Sequence, residues 1–288
     1  MLHYILLLIA ISSVVDAFST VIYGPSQREL LFLTSKIAAR EGIDASCICA
    51  PGTEGLARKL MYGKDYSEKE IDEAGRAKPI STGDDMQESL KKANSLCLIC
   101  YDQPIEVKAL QVLLDAAGED LSKIVLLSKM GVSKAKGGFF GGGDSKLLES
   151  ESAIRTLCES KNLDLSIVRA GILKGGGPGR EGNDIGLDGC YYNTLIDVVE
   201  ASVTMAHDKF ALGVHASKGD TIELPNMLAQ MGSKSSFEPS PYDTNRAAAT
   251  SAIVASLLYP EPIEFSVSTE KAEEPPSMEE WKGILASL

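Results

Sequence analysis

Three parts of the chain combine residue types and spacings that could do chemistry. The first is STVIYGPSQREL, residues 19–30. A short apolar run enters a Gly-Pro turn and leaves it as an amphipathic helix pattern. Such a turn sets the first amides of a helix at the end of a strand, where they can meet a phosphate. Gly24, Pro25, Ser26, Gln27 and Arg28 are therefore candidate nucleotide contacts, with Arg28 as the cation. Ser26 and Glu29 have the spacing of a capping box, in which Ser26 caps the Glu29 amide and Glu29 reaches back. Amides used in this way are drawn from an anion, and Glu29 adds negative charge beside them.

The second part is the cysteines. Cys97 and Cys100, in CLIC, have the spacing of a metal or redox pair. They lie in an extended apolar run, not at a helix start where a thiolate is stabilised. Cys47 and Cys49 lie in a similar run, Cys158 in a helix pattern and Cys190 in a loop. All are expected to serve as small buried apolar groups. The third part is two glycine-rich stretches, KAKGGFFGGGDSK (134–146) and KGGGPGREGNDIG (174–186). Neither matches the phosphate loop GxxxxGK[ST]. Each reads either as a surface loop or as a mobile wall that meets a substrate or a protein partner, with Phe139 and Phe140 as apolar contacts. His207 and His215 have no partner at metal-ligand spacing, so no metal site is read.

The elements that must position these residues alternate. TVIYG, DASCICA, AKPIST, SLCLICY, SKIVLLS and LDLSIVRAGIL read as strands, the last as one continuous strand. Helix patterns separate them, beginning with Gln27 to Arg40, in which Leu30, Leu33, Ile37 and Ala38 share a face. Continuous apolar strands between helices imply a parallel sheet covered on both sides. The fold class is α/β, a doubly wound, mostly parallel Rossmann sheet with a small C-terminal substrate or partner region. Both glycine-rich stretches then follow the carboxyl ends of strands, the edge where such sheets bind ligands. The acidic, Pro-rich tail from Glu270 ends in a helix that packs through Trp281, Ile284, Leu285 and Leu288.

Of the 288 residues, 44% are hydrophobic and the net charge is −12. An acidic surface argues against nucleic acid and against anionic membranes. Residues 1–17 read as a signal peptide, too short for a stable membrane span. A cut after Ala17 leaves Phe18 first, which resembles the bipartite presequences of algae with complex plastids. A plastid destination and the secretory route both stand. Residues 18–173 read as the nucleotide-binding core and 174–288 as the C-terminal part of the same domain.

SKIVLLSKMGV, KNLDLSIVRAGIL, DTNRAAATSAIVASLLYP, IEFSVST and EEWKGILASL follow in an order that resembles the atypical short-chain dehydrogenase/reductase family. The resemblance runs from Thr20 to Leu288 and implies a NAD(P)-binding Rossmann fold, with NADP or NAD as cofactor. The family's G-x-x-G-x-x-G turn falls on Gly24, Gln27 and Leu30. Gln27 then stands in the path of a pyrophosphate, and Leu30 either pushes the helix away or fills the gap. Strand two ends at Ala50 and Pro51, with neither acid nor base, so the choice of cofactor stays open. Tyr101 and Asp102 narrow the nicotinamide side. The resemblance gives Ser128 the place of the superfamily's serine and Arg169 a place at the sheet's carboxyl edge, and both are candidate cofactor contacts. Arg246 is expected to anchor the C-terminal helix. The Tyr-x-x-x-Lys pair of that chemistry is missing. Its places fall near Leu147 or Leu148 and near Glu151 or Ser152. These features imply a protein that binds nucleotide weakly without turnover or acts as a scaffold or assembly factor. The alternative is an active NADP-dependent oxidoreductase on a small organic substrate, using non-standard catalytic residues.

Overall fold

The computed structural model describes residues 18–25, 28–63, 75–81, 83–134, 142–180, 184–195, 197–221 and 236–288. The expected signal peptide, turn residues Ser26 and Gln27, the Arg28 side chain and the Phe139–Phe140 loop lie outside the described residues. So does the Ser26 half of the expected capping box.

Strands and helices alternate as the apolar runs predict: β1 (Ser19–Tyr23), α1 (Arg28–Arg40), β2 (Asp44–Ile48), α2 (Glu54–Tyr62), β3 (Lys78–Ile80), α3 (Asp84–Lys92), β4 (Ser95–Ile99), α4 (Val107–Ala116), β5 (Lys123–Lys129), α5 (Gly142–Lys161) and β6 (Asp164–Ala170). Then come β7 (Ile172–Lys174), α6 (Val198–Phe210), β8 (Gly213–Lys218), β9 (Asp243–Asn245), α7 (Arg246–Leu258), β10 (Glu264–Glu270) and α8 (Met278–Ala286). The main sheet has the order β3-β2-β1-β4-β5-β6-β10-β8. Its pairs are parallel except β10 with β8, which is antiparallel. The chain order reverses between β1 and β4, the place at which sheets of this kind hold a ligand crevice at the carboxyl ends of their strands.

The strands read as unbroken apolar runs because both faces are covered. One core joins Ile22, Ala45, Cys47, Cys97, Val125, Val168 and Phe265 to α1, α2, α7 and α8. The other joins Val21, Leu96, Leu98, Leu126 and Ile167 to α3, α4 and α5. Five of the six cysteines are buried and Cys190 is half-buried, and none of them forms a disulfide. Burial pushes the Cys100 thiol up to about 12 and Cys158 to about 11, which makes both poor nucleophiles. Leu30 fills the gap that a third turn glycine would leave. It is fully buried in the same core as the small residues Ala249 and Ala252 of α7. The tail packs as expected: Trp281 and Leu285 are buried, and Ile284 and Leu288 lie half-buried against them.

One expected strand is two. LDLSIVRAGIL breaks at Gly171, and β7 leaves to pair with β9 in a separate two-stranded sheet. The cause is steric. A Cβ at Gly171 would lie 2.1 Å from the Tyr242 carbonyl oxygen. The corner is held by hydrogen bonds from the Gly171 amide to Thr244 Oγ1 (2.7 Å) and from Thr244 Oγ1 to the Val267 carbonyl (2.6 Å).

Gly171→Ala is therefore expected to lower the unfolding free energy by about 3 kcal/mol, because backbone must move to admit the methyl group. Gly283 lies in α8 with nothing within 4 Å of its would-be Cβ. Gly283→Ala should raise stability by about 0.5–1 kcal/mol through helix propensity. Urea unfolding of the two variants beside wild type checks both signs.

Candidate functional site

Gly24 ends β1 at the reversal point. A Cβ there would sit 2.9 Å from Ile99 Cβ and 3.0 Å from the Ile99 carbonyl oxygen. The first turn glycine is thus demanded by the close approach of β4. Pro25 follows, exposed to solvent. Tyr101, just past β4, stretches across the end of β5, and its hydroxyl donates to the Gly171 carbonyl at the end of β6. Burial pushes that hydroxyl's pKa up, and the Arg246 charge pulls it part of the way back. Tyr101 thus spans from the end of β4 to the end of β6.

Ser128 and Arg169 come together at the ends of β5 and β6, where their register pairs them directly. Arg169 has no exposed surface. Its Nη1 and Nη2 donate to Glu151 Oε2 (3.0 Å) and Oε1 (2.6 Å), a bidentate pair. Its Nε and Nη2 donate to Glu264 Oε1 at 3.0 and 2.7 Å. Asp220 Oδ2 lies 3.8 Å from Nη1. Ser128 Oγ donates to Glu151 Oε2 (3.1 Å) and accepts from Arg169 Nη1 (3.4 Å). Arg155 closes the cluster, with Nη2 on both Glu151 (3.1 Å) and Glu264 (2.6 Å). Burial opposes the charge on Arg169, but its carboxylates outweigh this and raise its pKa. Burial likewise opposes the Glu264 charge, and Arg155 and Arg169 outweigh it, so that carboxyl is held below its ordinary value. Glu151 is one of the two places, with Ser152, to which the sequence count brings a catalytic lysine, and the buried Leu147, one of the two tyrosine places with Leu148, stands four residues before it. The hydroxyl and guanidinium that the resemblance placed at the edge are engaged with each other and with Glu151.

The second glycine-rich stretch is not a surface loop over Lys174–Gly177, which is buried. The Gly176 and Gly177 amides donate to Asp208 Oδ1 (2.7 Å) and Oδ2 (2.8 Å), and Tyr192 Oη donates to Oδ2 (2.9 Å). A carboxylate of the chain thus occupies a pair of amides that would otherwise suit an outside anion. Three consecutive residues fix this region. Thr244 holds the Gly171 corner. Asn245 caps α7 and donates to the His207 and Ala211 carbonyls, 3.2 Å each. Arg246 Nη1 donates to the Gly175 carbonyl at 3.0 Å. Arg246 therefore binds the glycine loop from the first residue of α7.

Sequence reasoning missed Glu151, Glu264 and Asp220 as partners of Arg169, and Asp208 as the clamp on the glycines. Opposite charge beside Arg169 was the available signal, but Glu151, Asp220 and Glu264 lie 18, 51 and 95 residues from it along the chain. Among the described residues no group of three or more His, Cys, Asp or Glu is arranged to hold a metal, and no helix is long and apolar enough to cross a membrane.

No protein family's sequence model matches the chain, and no curated protein matches it in sequence. Solved structures do match. A Bacillus halodurans protein assigned as a NAD-dependent epimerase/dehydratase superposes with a TM-score of 0.53 at 11% identity, over 94% of this chain and 100% of that one. The chain shares its Rossmann fold. Weaker likenesses include ChuY, an anaerobillin reductase from Escherichia coli O157:H7 (TM-score 0.49, 13% identity, 90% of this chain and 100% of that one). Yeast methylglyoxal/isovaleraldehyde reductase Gre2, solved with NADPH, is another (TM-score 0.49, 9% identity, 86% and 76%). At these identities the likeness speaks to fold alone.

The Arg169 cluster generates two expectations. Arg169→Met should cost about 3–5 kcal/mol in urea unfolding, since it strands buried carboxylates. Glu264 titrates lower in the folded than in the unfolded chain. Its contribution is therefore complete above the ordinary carboxylate range and is lost as pH falls through the folded value. Unfolding free energy measured from neutral pH to about pH 3 should fall less steeply in Glu264→Gln than in wild type.

Proposed function

We propose that this chain binds a nicotinamide dinucleotide at the β1–β4 crevice and does not carry out the hydride transfer typical of short-chain dehydrogenases. Binding is supported by the Rossmann strand order, by Gly24 at the reversal point and by the α1 start beside it. The observation that carries the absence of turnover is the buried cluster of Ser128, Glu151 and Arg169. A reductase of this type needs a free hydroxyl acid and a lysine at the ends of β5 and on α5. Here those places hold a serine tied to a carboxylate, a glutamate tied to an arginine and a leucine.

NADP or NAD, when bound, supplies a hydride donor or acceptor. On this reading the turn from Gly24 through Pro25, Ser26, Gln27 and Arg28 contacts its phosphates. Ser128 and Arg169 hold the edge of the sheet in place without touching it. Tyr101 limits the room at the nicotinamide end. The residues at the end of β2 favour neither cofactor. The resemblance to the atypical short-chain dehydrogenase/reductase family supports the same assignment, with a plastid or secretory destination for the segment that begins at Phe18.

The test is titration of the chain from Phe18 onward with NADPH and NADH, followed by calorimetry and by nucleotide fluorescence. The expected result is dissociation constants in the micromolar range, with no NADPH consumed over a panel of small aldehydes and ketones. Steady, substrate-dependent oxidation of NADPH would overturn the non-catalytic reading and favour an oxidoreductase with other catalytic groups. Failure to bind at millimolar nucleotide would overturn the dinucleotide reading and leave a scaffold that works through protein partners.

A further inference from the structure

Arg246 sits half-buried at the carboxyl edge with half its guanidinium unused. Nη1 is spent on the Gly175 carbonyl. Nε is buried and has no hydrogen-bond partner among the described residues. Among the described residues nothing accepts from Nη2, and the side chain makes no ion pair. Asp208 lies within electrostatic reach, but the Gly176 and Gly177 amides and the Tyr192 hydroxyl already hold its oxygens. A second orphan lies close by. Tyr191 has no exposed surface, and its hydroxyl has no partner among the described residues. Burial raises the pKa of that hydroxyl. Arg246 is the foremost charge pulling it back, and Glu29, in the first turn of α1, pushes it up. The same Arg246 charge acts on Tyr101, past the end of β4. The geometry agrees: Tyr101 bonds the Gly171 corner that Thr244 holds two residues before Arg246, Tyr191 lies in one core with Leu30 of α1, and Arg246 and Tyr192 pack on the successive glycines Gly176 and Gly177.

A buried donor left unmade costs about 1–3 kcal/mol, so two in one region ask for an acceptor. The Nε–Nη2 edge of a guanidinium is a planar fork that matches two oxygens of one phosphate, and a phenol supplies a third donor. In a chain of net charge −12, an unpaired half-buried cation is the group most in need of an anion.

We infer that Arg246 and Tyr191 form a phosphate subsite, with the Nε–Nη2 edge of Arg246 and the Tyr191 hydroxyl donating to the oxygens of one phosphate group. This rests on the proposed dinucleotide binding for its ligand, and supplies what the altered turn lacks. Two of the turn's three glycine places are Gln27 and Leu30, so phosphate charge is met by a side chain from α7 instead of by close backbone alone. The same subsite would take a phosphate from the dinucleotide's pyrophosphate or from a separate phosphorylated compound.

The experiment titrates NADPH, NADH and inorganic pyrophosphate separately into wild type, Arg246→Met, Arg246→Lys and Tyr191→Phe, by calorimetry and by thermal shift. Arg246→Met should weaken NADPH and pyrophosphate at least about tenfold, and Arg246→Lys should recover only part of this because a point charge lacks the fork. Tyr191→Phe should weaken both about threefold or more without lowering the melting temperature of the free protein, since it removes a buried hydroxyl that has no partner among the described residues. That variant keeps the test valid if Arg246→Met does not fold. Unchanged NADPH affinity in Arg246→Met or in Tyr191→Phe would overturn the subsite and leave dinucleotide binding standing. Pyrophosphate bound in an Arg246-dependent way, with no binding of NADPH or NADH, would support the subsite and overturn the dinucleotide reading. If no probe binds to wild type, both fall.

Discussion

A guanidinium with no contact to water must be matched by carboxylates or it cannot stay charged inside a protein. Arg169 is such a group, and half of the sheet is arranged to meet that demand. Glu151 arrives from α5 and Glu264 from the start of β10. Asp220 arrives just after β8, and Ser128 from the neighbouring β5. Asp220 also accepts the Gly131 and Ser133 amides, at 2.7 and 2.9 Å, and so fixes the turn after β5. One buried cation thus sets the position of two parallel strands, a crossover helix and the antiparallel edge. Apolar packing alone would hold these elements together, but it would not fix which side chains face the crevice.

The chemical consequence follows from the same geometry. A proton donor at the carboxyl edge needs a pKa its surroundings can tune and a path to substrate. The Arg169 cluster uses the hydroxyl of Ser128 and the carboxylate of Glu151 for internal pairing, and Tyr101 bars the strand ends above them. The other half of the edge is built differently. There Asp208 satisfies the glycine amides, and the unspent hydrogen-bonding capacity lies on Arg246 and Tyr191. The edge therefore divides into a side over β5 and β6 whose donors are spent and a side near α1 with donors unspent among the described residues.

The sheet was legible in the sequence because burial on both faces leaves unbroken apolar runs, and runs such as SLCLI and KIVLL admit little else. Leu30 was legible as a departure, and its filling of the gap is what its volume dictates beside an alanine-rich helix. The break at Gly171 was not legible, since RAGIL continues the apolar pattern and the obstruction is the distant Tyr242 carbonyl. Strand β8 was missed because an edge strand with one covered face carries a weak, alternating signal. Of the candidate site, the positions of Gly24, Ser128 and Arg169 were readable from strand ends. Their partners were not, because charge pairing between residues far apart leaves no local pattern. The role of Arg246 was hidden by its place in a helix start, where it reads as an anchor.

The most direct measurement is a crystal structure of the chain grown with NADPH. The account predicts the dinucleotide in the β1–β4 crevice, its phosphates beside the start of α1, and Ser128, Glu151 and Arg169 paired as they are here. A structure in which Glu151 or Ser128 leaves Arg169 to contact the nicotinamide or its ribose would contradict it.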